Sequence, residues 1–124
     1  MKYMYHEDIK ELAKHNSSFR KVLFTGRYSQ LVLMSLLSNE DIGDEVHPGV
    51  DQMLFIVDGK GKGIINGEEF TFDEHDTIIV PAGARHNIIN TGDKDLKLYT
   101  IYAPSNHPHG LEQKTKKDAD DEDY

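Results

Sequence analysis

The sequence predicts an all-β fold, an antiparallel sandwich or barrel, from three observations. Short runs rich in Val, Ile, Phe, Thr and Tyr recur between Phe19 and Pro104. Turn-forming residues separate these runs at spacings of about eight to twelve residues. The pair Asn66-Gly67 stands between two of the runs, and Asn-Gly is the strongest short-range signal for a β-hairpin. A chain of 124 residues is long enough to form one domain with a hydrophobic core.

The chain divides into three predicted segments. Residues 1–18 form an N-terminal extension, with a short helix over residues 8–14 because Ile9, Leu12 and Ala13 recur on one side. Residues 19–104 form the β-domain. Residues 105–124 form a loop and a flexible acidic tail, because the end of the chain offers few apolar residues that could pack.

The predicted strands are runs of β-favouring residues that end at Gly, Pro, Asn, Asp or Ser. In order they are residues 20–25, 29–37, 53–57, 62–67, 68–72, 77–80, 87–90 and 96–102. The run over residues 29–37 is apolar on both faces, so it needs cover on both sides of the sheet. A second copy of the chain would supply that cover, which is one reason to expect a homodimer.

Composition narrows the classes of partner. The net charge of −8 argues against a nucleic-acid-binding surface, which is usually basic. The absence of cysteine excludes disulfides and thiolate ligands. No apolar run approaches the length of a signal-peptide core or of a membrane span. We therefore expect a soluble cytoplasmic protein that binds neither nucleic acid nor membrane.

Two stretches, residues 45–52 and 81–90, are predicted to form one site. Glu45 and His47 lie two residues apart, so in an extended backbone their side chains share a face. Gln52 follows the Pro48-Gly49 break and can begin a strand that faces the same interior. His86 adds a further ligand from a distant hairpin. The result is a candidate metal site of two imidazoles, one carboxylate and one amide oxygen.

These two stretches resemble the paired motifs of the cupin superfamily. In the second stretch the resemblance lies in the spacing of Pro81, Gly83, His86 and Asn90. In the first, Gln52 occupies the position where the family usually has glutamate. The pair Glu45 and His47 stands where the family has two histidines. The resemblance implies a double-stranded β-helix (an antiparallel jelly-roll barrel), a metal site made by Glu45, His47, Gln52 and His86, and a homodimer.

The chain also resembles one subgroup of small single-domain cupins that has no firmly assigned reaction. Part of this resemblance lies in the segment from Leu98 to Pro104. Some members of that subgroup are labelled as similar to mannose-6-phosphate isomerase, which is an analogy of fold rather than of chemistry. The segment His107-Pro108-His109 lies in the C-terminal stretch, and we expect it to pack on the barrel or on a partner chain.

Physical chemistry supports the metal site independently. Four inward polar groups in an apolar barrel are costly unless a cation or hydrogen bonds satisfy them. Two imidazoles and a carboxylate suit iron, manganese, zinc or nickel and resemble the facial arrangement of non-haem iron sites. Other roles stay open: the histidines as hydrogen-bonded interior residues, Gln52 as a partner of backbone groups, and Glu45 as a solvated carboxylate or an ion pair with Arg85.

Two functions fit this reading. In the first, the protein is a metal-dependent enzyme of the oxygenase or isomerase type that acts on a small molecule, with a divalent ion as cofactor. In the second, it is a non-enzymatic module that binds a small ligand or a metal ion in the barrel mouth. The sequence singles out no catalytic residue beyond the metal ligands.

Overall fold

The computed structural model describes residues 3–122, which form nine strands and two short helices. The helices are α1 (Ile9–His15) and α2 (Lys116–Asp121). The strands are β1 (Arg20–Thr25), β2 (Gln30–Leu36), β3 (Asp51–Asp58), β4 (Gly61–Ile65), β5 (Glu68–Phe72), β6 (Thr77–Val80), β7 (His86–Asn90), β8 (Leu96–Ala103) and β9 (Glu112–Gln113).

The strands form two antiparallel sheets, which confirms the predicted all-β jelly roll. One sheet has six strands in the order β6-β3-β8-β2-β1-β9, and the other has three in the order β5-β4-β7. The hairpin between β4 and β5 turns at Asn66 and Gly67, whose φ angles are 51° and 84°. A two-residue hairpin of this kind needs positive φ at both turn positions, and Asn and Gly adopt it at low cost. The predicted Asn-Gly hairpin is therefore confirmed.

A single hydrophobic core lies between the two sheets. In β8 every second residue is buried, so that Leu96, Leu98, Thr100 and Tyr102 face the interior. Residues from both sheets contribute to the core, among them Val32, Leu54, Phe72, Ile88 and Leu98. The inward alternation of β3 and β8 also places the Gln52 backbone directly opposite that of Tyr102, so the strands that build the core carry polar side chains into it.

Helix α1 covers part of the outer face of the six-stranded sheet. Asp8 caps the helix by accepting a hydrogen bond from the Glu11 backbone N–H at 3.2 Å. Ala13 is fully buried and packs with Leu33 and Val57 on the outer side of β2 and β3. The second apolar face of β2 is thus covered in part by the chain itself, so that face no longer supplies an argument for a homodimer, which stays a prediction.

The expectation of a flexible tail is wrong for residues 112–121. Strand β9 pairs with β1, and the Ser18 hydroxyl donates to the Glu112 carboxylate at 2.6 Å. Thr115 begins α2 with a reciprocal capping box, in which its hydroxyl and the Asp118 carboxylate each accept a backbone N–H. These long-range contacts and caps order a segment for which the hydrophilic composition alone predicted no regular structure. The last two residues of the predicted tail lie outside the described residues.

Gly61 marks a close approach within the smaller sheet. A Cβ atom at this position would lie 2.3 Å from the Ile89 carbonyl oxygen and 2.5 Å from the Phe72 ring. We expect Gly61→Ala to lower the free energy of unfolding by about 1–3 kcal/mol, because the contact overpacks the core. Gly49→Ala is the matched control, since a Cβ there meets nothing within 4 Å. Equal stability of the two variants in urea denaturation would contradict the close approach.

Candidate metal centre

A backbone bridge brings Glu45 and His86 together. The Glu45 N–H donates to the His86 carbonyl at 2.9 Å, and the His86 N–H donates to the Glu45 carbonyl at 2.9 Å. Residues directly opposite each other in an antiparallel pair project their side chains to the same side. The bridge therefore aims the carboxylate and the imidazole at the same interior, although the two residues lie far apart in the sequence.

The loop between Glu45 and β3 positions His47 and Gln52. The Gly83 N–H donates to the His47 carbonyl at 2.9 Å, which ties the first stretch to the second. Gln52 lies near the start of β3 and is 1% exposed. Potential ligand atoms of Glu45, His47 and His86 lie within 4.8 Å of one another. The structure thus gathers these three predicted residues into a cluster that could hold a metal ion, with Gln52 beside His86.

The hydrogen bonds of His86 determine which ring nitrogen faces the cluster. Its Nδ1 lies 3.0 Å from the Ala84 carbonyl oxygen, so Nδ1 carries the proton and donates to that oxygen. Its Nε2 lies 3.1 Å from Gln52 Oε1. The Gln52 amide nitrogen in turn donates to the Thr100 hydroxyl at 3.2 Å and to the Tyr102 hydroxyl at 3.3 Å. Two lone pairs, on Nε2 and on Oε1, therefore face each other.

This contact fits a shared cation. Two ligand atoms that each lie about 2.1 Å from one ion, at about 90° to each other, are about 3.0 Å apart. The Nε2 to Oε1 distance of 3.1 Å has this length. A backbone carbonyl that fixes the tautomer of a metal-binding histidine is also a common outer partner in metal sites. The donor set of His86 and Gln52 is thus compatible with a divalent ion.

Glu45 and His47 each have one buried side-chain atom without a hydrogen-bond partner, although Glu45 Oε2 lies 3.9 Å from His47 Nε2. Glu45 Oε1 and His47 Nε2 are both buried and make no hydrogen bond within the described part of the chain. Burial raises the pKa of the Glu45 carboxyl, while the positive charge of Arg20 opposes that rise. Burial lowers the pKa of His47, and the charge of Arg20 acts in the same direction. A cation would satisfy both orphaned atoms, since each offers a lone pair.

The structure also places Arg85 and Asp51, two charged residues close in sequence to the site. Arg85 pairs with Asp44 at 2.8 Å, and both side chains are exposed, so the ion pair between Arg85 and Glu45 is not formed. Asp51, the neighbour of Gln52, points outward and accepts from the Ala82 N–H at 2.8 Å. The alternation along β3 therefore separates the inward amide from the outward carboxylate, as the two-residue period of a strand requires.

Three further buried residues, Arg20, Tyr102 and His107, were not among the predicted site residues, although the His107 segment was expected to pack on the barrel or on a partner chain. The Tyr102 ring lies 6.0 Å from the His47 ring and 5.1 Å from the His107 ring, measured between centroids. Burial raises the pKa of Tyr102 to about 12 and lowers that of His107 to about 3, so both groups are neutral at neutral pH. The strand period would have placed Arg20 and Tyr102 inward beside Val22 and Leu98. His107 lies in a loop, where no period exists.

The described residues contain no helix that is both long enough and apolar enough to cross a bilayer.

Comparison with known proteins gives one family. A family model for the cupin domain matches residues 32–102, more than half of the chain. The chain is 48% identical over 119 residues to the uncharacterized protein YrkC of Bacillus subtilis, and the match covers 90% of this chain and 63% of YrkC. It is 40% identical over 111 residues to the uncharacterized protein L612 of Acanthamoeba polyphaga mimivirus, covering 86% of this chain and 69% of L612. The chain thus spans about two thirds of the length of these relatives.

A solved structure shares the whole fold. The crystal structure of BH2720 from Bacillus halodurans superposes with a TM-score of 0.93 at 40% sequence identity, covering 95% of this chain and 94% of that one. The similarity includes the parts of the chain outside the family match, so the N-terminal extension and the C-terminal segment belong to a shared architecture.

Proposed function

The chain belongs to the cupin domain family, and from that premise we propose that its interior binds one divalent metal ion through Glu45, His47, Gln52 and His86. We further propose that the loaded protein is an enzyme of the oxygenase or isomerase type that acts on a small molecule. The observation that carries the proposal is the convergence of Glu45, His47 and His86, whose ligand atoms lie within 4.8 Å of one another.

The ligand types support a transition metal rather than magnesium or calcium. Two imidazoles suit iron, zinc, nickel or copper, whereas magnesium and calcium prefer sites made of oxygen alone. With one carboxylate, the two histidines form the set found in non-haem iron sites, and the neutral Gln52 adds an oxygen without adding charge. Iron, manganese, zinc and nickel are therefore the ions to compare.

In such a site the metal ion and the protein side chains would make different chemical contributions. A bound divalent ion supplies Lewis acidity to a small molecule that enters the interior. The chain supplies a protonated phenol at Tyr102 and a neutral imidazole at His107, whose rings lie 5.1 Å apart. Both groups stay neutral at neutral pH, so each can donate a hydrogen bond to a bound small molecule. The sequence did not single out these two donors.

A second candidate function is a metal-free binding module, and the Gln52 amide favours it. If this amide is rotated by half a turn, its nitrogen donates to His86 Nε2 at the observed separation of 3.1 Å. Its oxygen then accepts from the hydroxyls of Thr100 and Tyr102, which lie 3.2 and 3.3 Å from the other amide atom. In that arrangement Gln52 and His86 satisfy each other, and the interior serves only to bind a small molecule.

Metal titration separates the two candidates. We expect metal-stripped protein to bind about one ion of iron(II), manganese(II), zinc(II) or nickel(II) per chain in isothermal titration calorimetry. At a free ion concentration 100-fold above the dissociation constant, the ion adds about 2.7 kcal/mol to the free energy of unfolding. Magnesium is the control ion and should bind far more weakly. Absence of saturable binding for all four ions would reject the metal-dependent function.

A further inference from the structure

Four buried side-chain atoms of the described residues lack a hydrogen-bond partner. Among the described side chains they are Arg20 Nε, Glu45 Oε1, His47 Nε2 and His107 Nδ1. A metal ion accounts for Glu45 and His47, because each offers a lone pair. It does not account for Arg20, whose guanidinium has only N–H donors and cannot bind a cation. The interior therefore contains donors that need a second, negatively charged partner.

Arg20 is a buried cation with an unused donor, its buried Nε–H. It lies on β1, is 5% exposed, and donates from Nη1 to Gln113 Oε1 at 2.7 Å. No ion pair joins it to a carboxylate within residues 3–122. A buried charge without a counter-ion costs several kcal/mol. A ligand that carries a negative charge would offset this cost.

His107 presents a second donor to the same space. The Asn106 side-chain nitrogen lies 3.4 Å from His107 Nε2, and when Nε2 accepts from this nitrogen, Nδ1 carries the proton of the ring. The backbone of His107 is held in place because the Gln30 side chain bonds both to the His107 N–H at 3.0 Å and to its carbonyl at 2.7 Å. His107 is 6% exposed, and its protonated Nδ1 is buried without an acceptor.

Tyr102 connects these two donors to the metal cluster. Its hydroxyl accepts from Gln52, so its own hydrogen stays available. Its ring packs edge-on against both His47 and His107. Arg20 lies on the same face of β1 as the core residue Val22, so its side chain points into the interior between the sheets. Its positive charge there acts on the pKa values of Glu45, His47, Tyr102 and His107.

We propose that the barrel interior binds a small carboxylate anion through Arg20, His107 and the Tyr102 hydroxyl, next to the metal cluster. The proposal rests on the proposed function in one respect: a bound metal ion would satisfy Glu45 and His47, which leaves Arg20 and His107 as the unpartnered groups. A planar carboxylate matches a guanidinium in shape and charge. A phosphate dianion would meet one full positive charge and two neutral donors, with the Glu45 carboxylate nearby to repel it, so the monoanion fits better.

Nuclear magnetic resonance of the wild-type protein tests this directly. We would follow the Arg20 Nε–H cross-peak while sodium acetate is added at millimolar concentrations, with acetamide as the neutral match. We expect acetate to shift the peak in a saturable way and acetamide to leave it in place. No shift with acetate, or a tighter response to inorganic phosphate than to acetate, would overturn the proposal.

Substitutions test whether Arg20 and His107 are the residues that bind acetate. In the variants the acetate affinity is read from the shift of the Tyr102 ring signals, because Arg20→Met has no Arg20 peak. Arg20→Met should weaken acetate binding by about 10- to 100-fold, the value of a hydrogen-bonded charge. Arg27→Met is the matched control, because Arg27 is exposed, and it should bind acetate as the wild type does. His107→Phe keeps a ring in place and removes the second donor, so it should weaken binding while Arg20 is intact. An unchanged affinity in His107→Phe would overturn the assignment of that donor.

Running the acetate titration with and without zinc(II) separates this proposal from the metal site. A shift of the Arg20 peak in both states, or only in the zinc-loaded state, supports the carboxylate site. A shift without binding of zinc or of the other three ions supports the carboxylate site and rejects the metal function. Zinc binding without a shift of the Arg20 peak rejects the carboxylate site and leaves the metal function intact.

Discussion

Replacing His86 with alanine should lower the affinity for the preferred divalent ion by at least about 100-fold, since loss of a partner that only supports a ligand already costs 10- to 100-fold. His86 is 2% exposed, and its Nδ1 is committed to the Ala84 carbonyl, which leaves Nε2 aimed at the cluster. No neighbouring side chain has the reach to replace that nitrogen, because Gln52 and Glu45 are already part of the same set. Isothermal titration calorimetry of the metal-stripped variant measures the loss.

The control for this variant is His75→Ala. His75 is exposed in the turn before β6, with a φ angle of 73°, and it lies outside the cluster. We expect His75→Ala to bind the ion as tightly as the wild type, and His47→Ala to lose affinity as His86→Ala does. If His86→Ala bound metal as tightly as the wild type, the cluster would not be the metal site.

Gln52→Glu should have the opposite effect and raise the affinity for the divalent ion by at least about tenfold. A factor of ten requires about 1.4 kcal/mol, and a full negative charge close to a cation in a poorly solvated interior is worth several times that. Gln52 is 1% exposed and lies 3.1 Å from His86 Nε2, so the introduced carboxylate has no water to screen it. Metal titration of wild type and variant side by side measures the difference.

The same substitution should destabilise the metal-free protein. The introduced carboxylate loses the two donations that the Gln52 amide makes to Thr100 and Tyr102 and becomes a buried charge. Urea denaturation without metal should therefore give a lower midpoint for Gln52→Glu than for the wild type, and added metal should reverse the order. Thr71→Glu adds the same charge at an exposed position, so it should neither lower the urea midpoint without metal nor raise it above the wild type when metal is added. A weaker metal affinity in Gln52→Glu would contradict the role of Gln52 as a ligand.

The strands were predictable because their physical determinants are local. The apolar alternation along β8 and the positive φ angles required at Asn66 and Gly67 are both visible in the sequence. Helix α1 was predicted within one residue of its observed end, because its cap and apolar side are also local. The cover of the outer face of β2 could not be predicted, because it comes from a segment outside the strand. Ala13 of α1 supplies part of that cover.

The cluster was predictable only in part. The spacing of the two stretches indicated Glu45, His47 and His86, and the structure brings them together through the bridge between Glu45 and His86. Arg20 and His107 were not identified as site residues. The strand period that turns Arg20 inward and the expected packing of the His107 segment indicate burial, but not the place where each side chain ends. Their positions depend on Gln113 and Gln30, which come from distant parts of the chain. The order of residues 112–121 was missed for the same reason.

The metal content of the native protein tests the central claim most directly. The protein would be produced without an affinity tag, never exposed to a nickel column, and analysed by plasma mass spectrometry together with the His86→Ala and His75→Ala variants. We predict about one transition-metal ion per chain in the wild type and in His75→Ala, and none in His86→Ala. A wild-type protein that holds no metal, even after reconstitution with iron, manganese, zinc and nickel, would contradict the metal-dependent function.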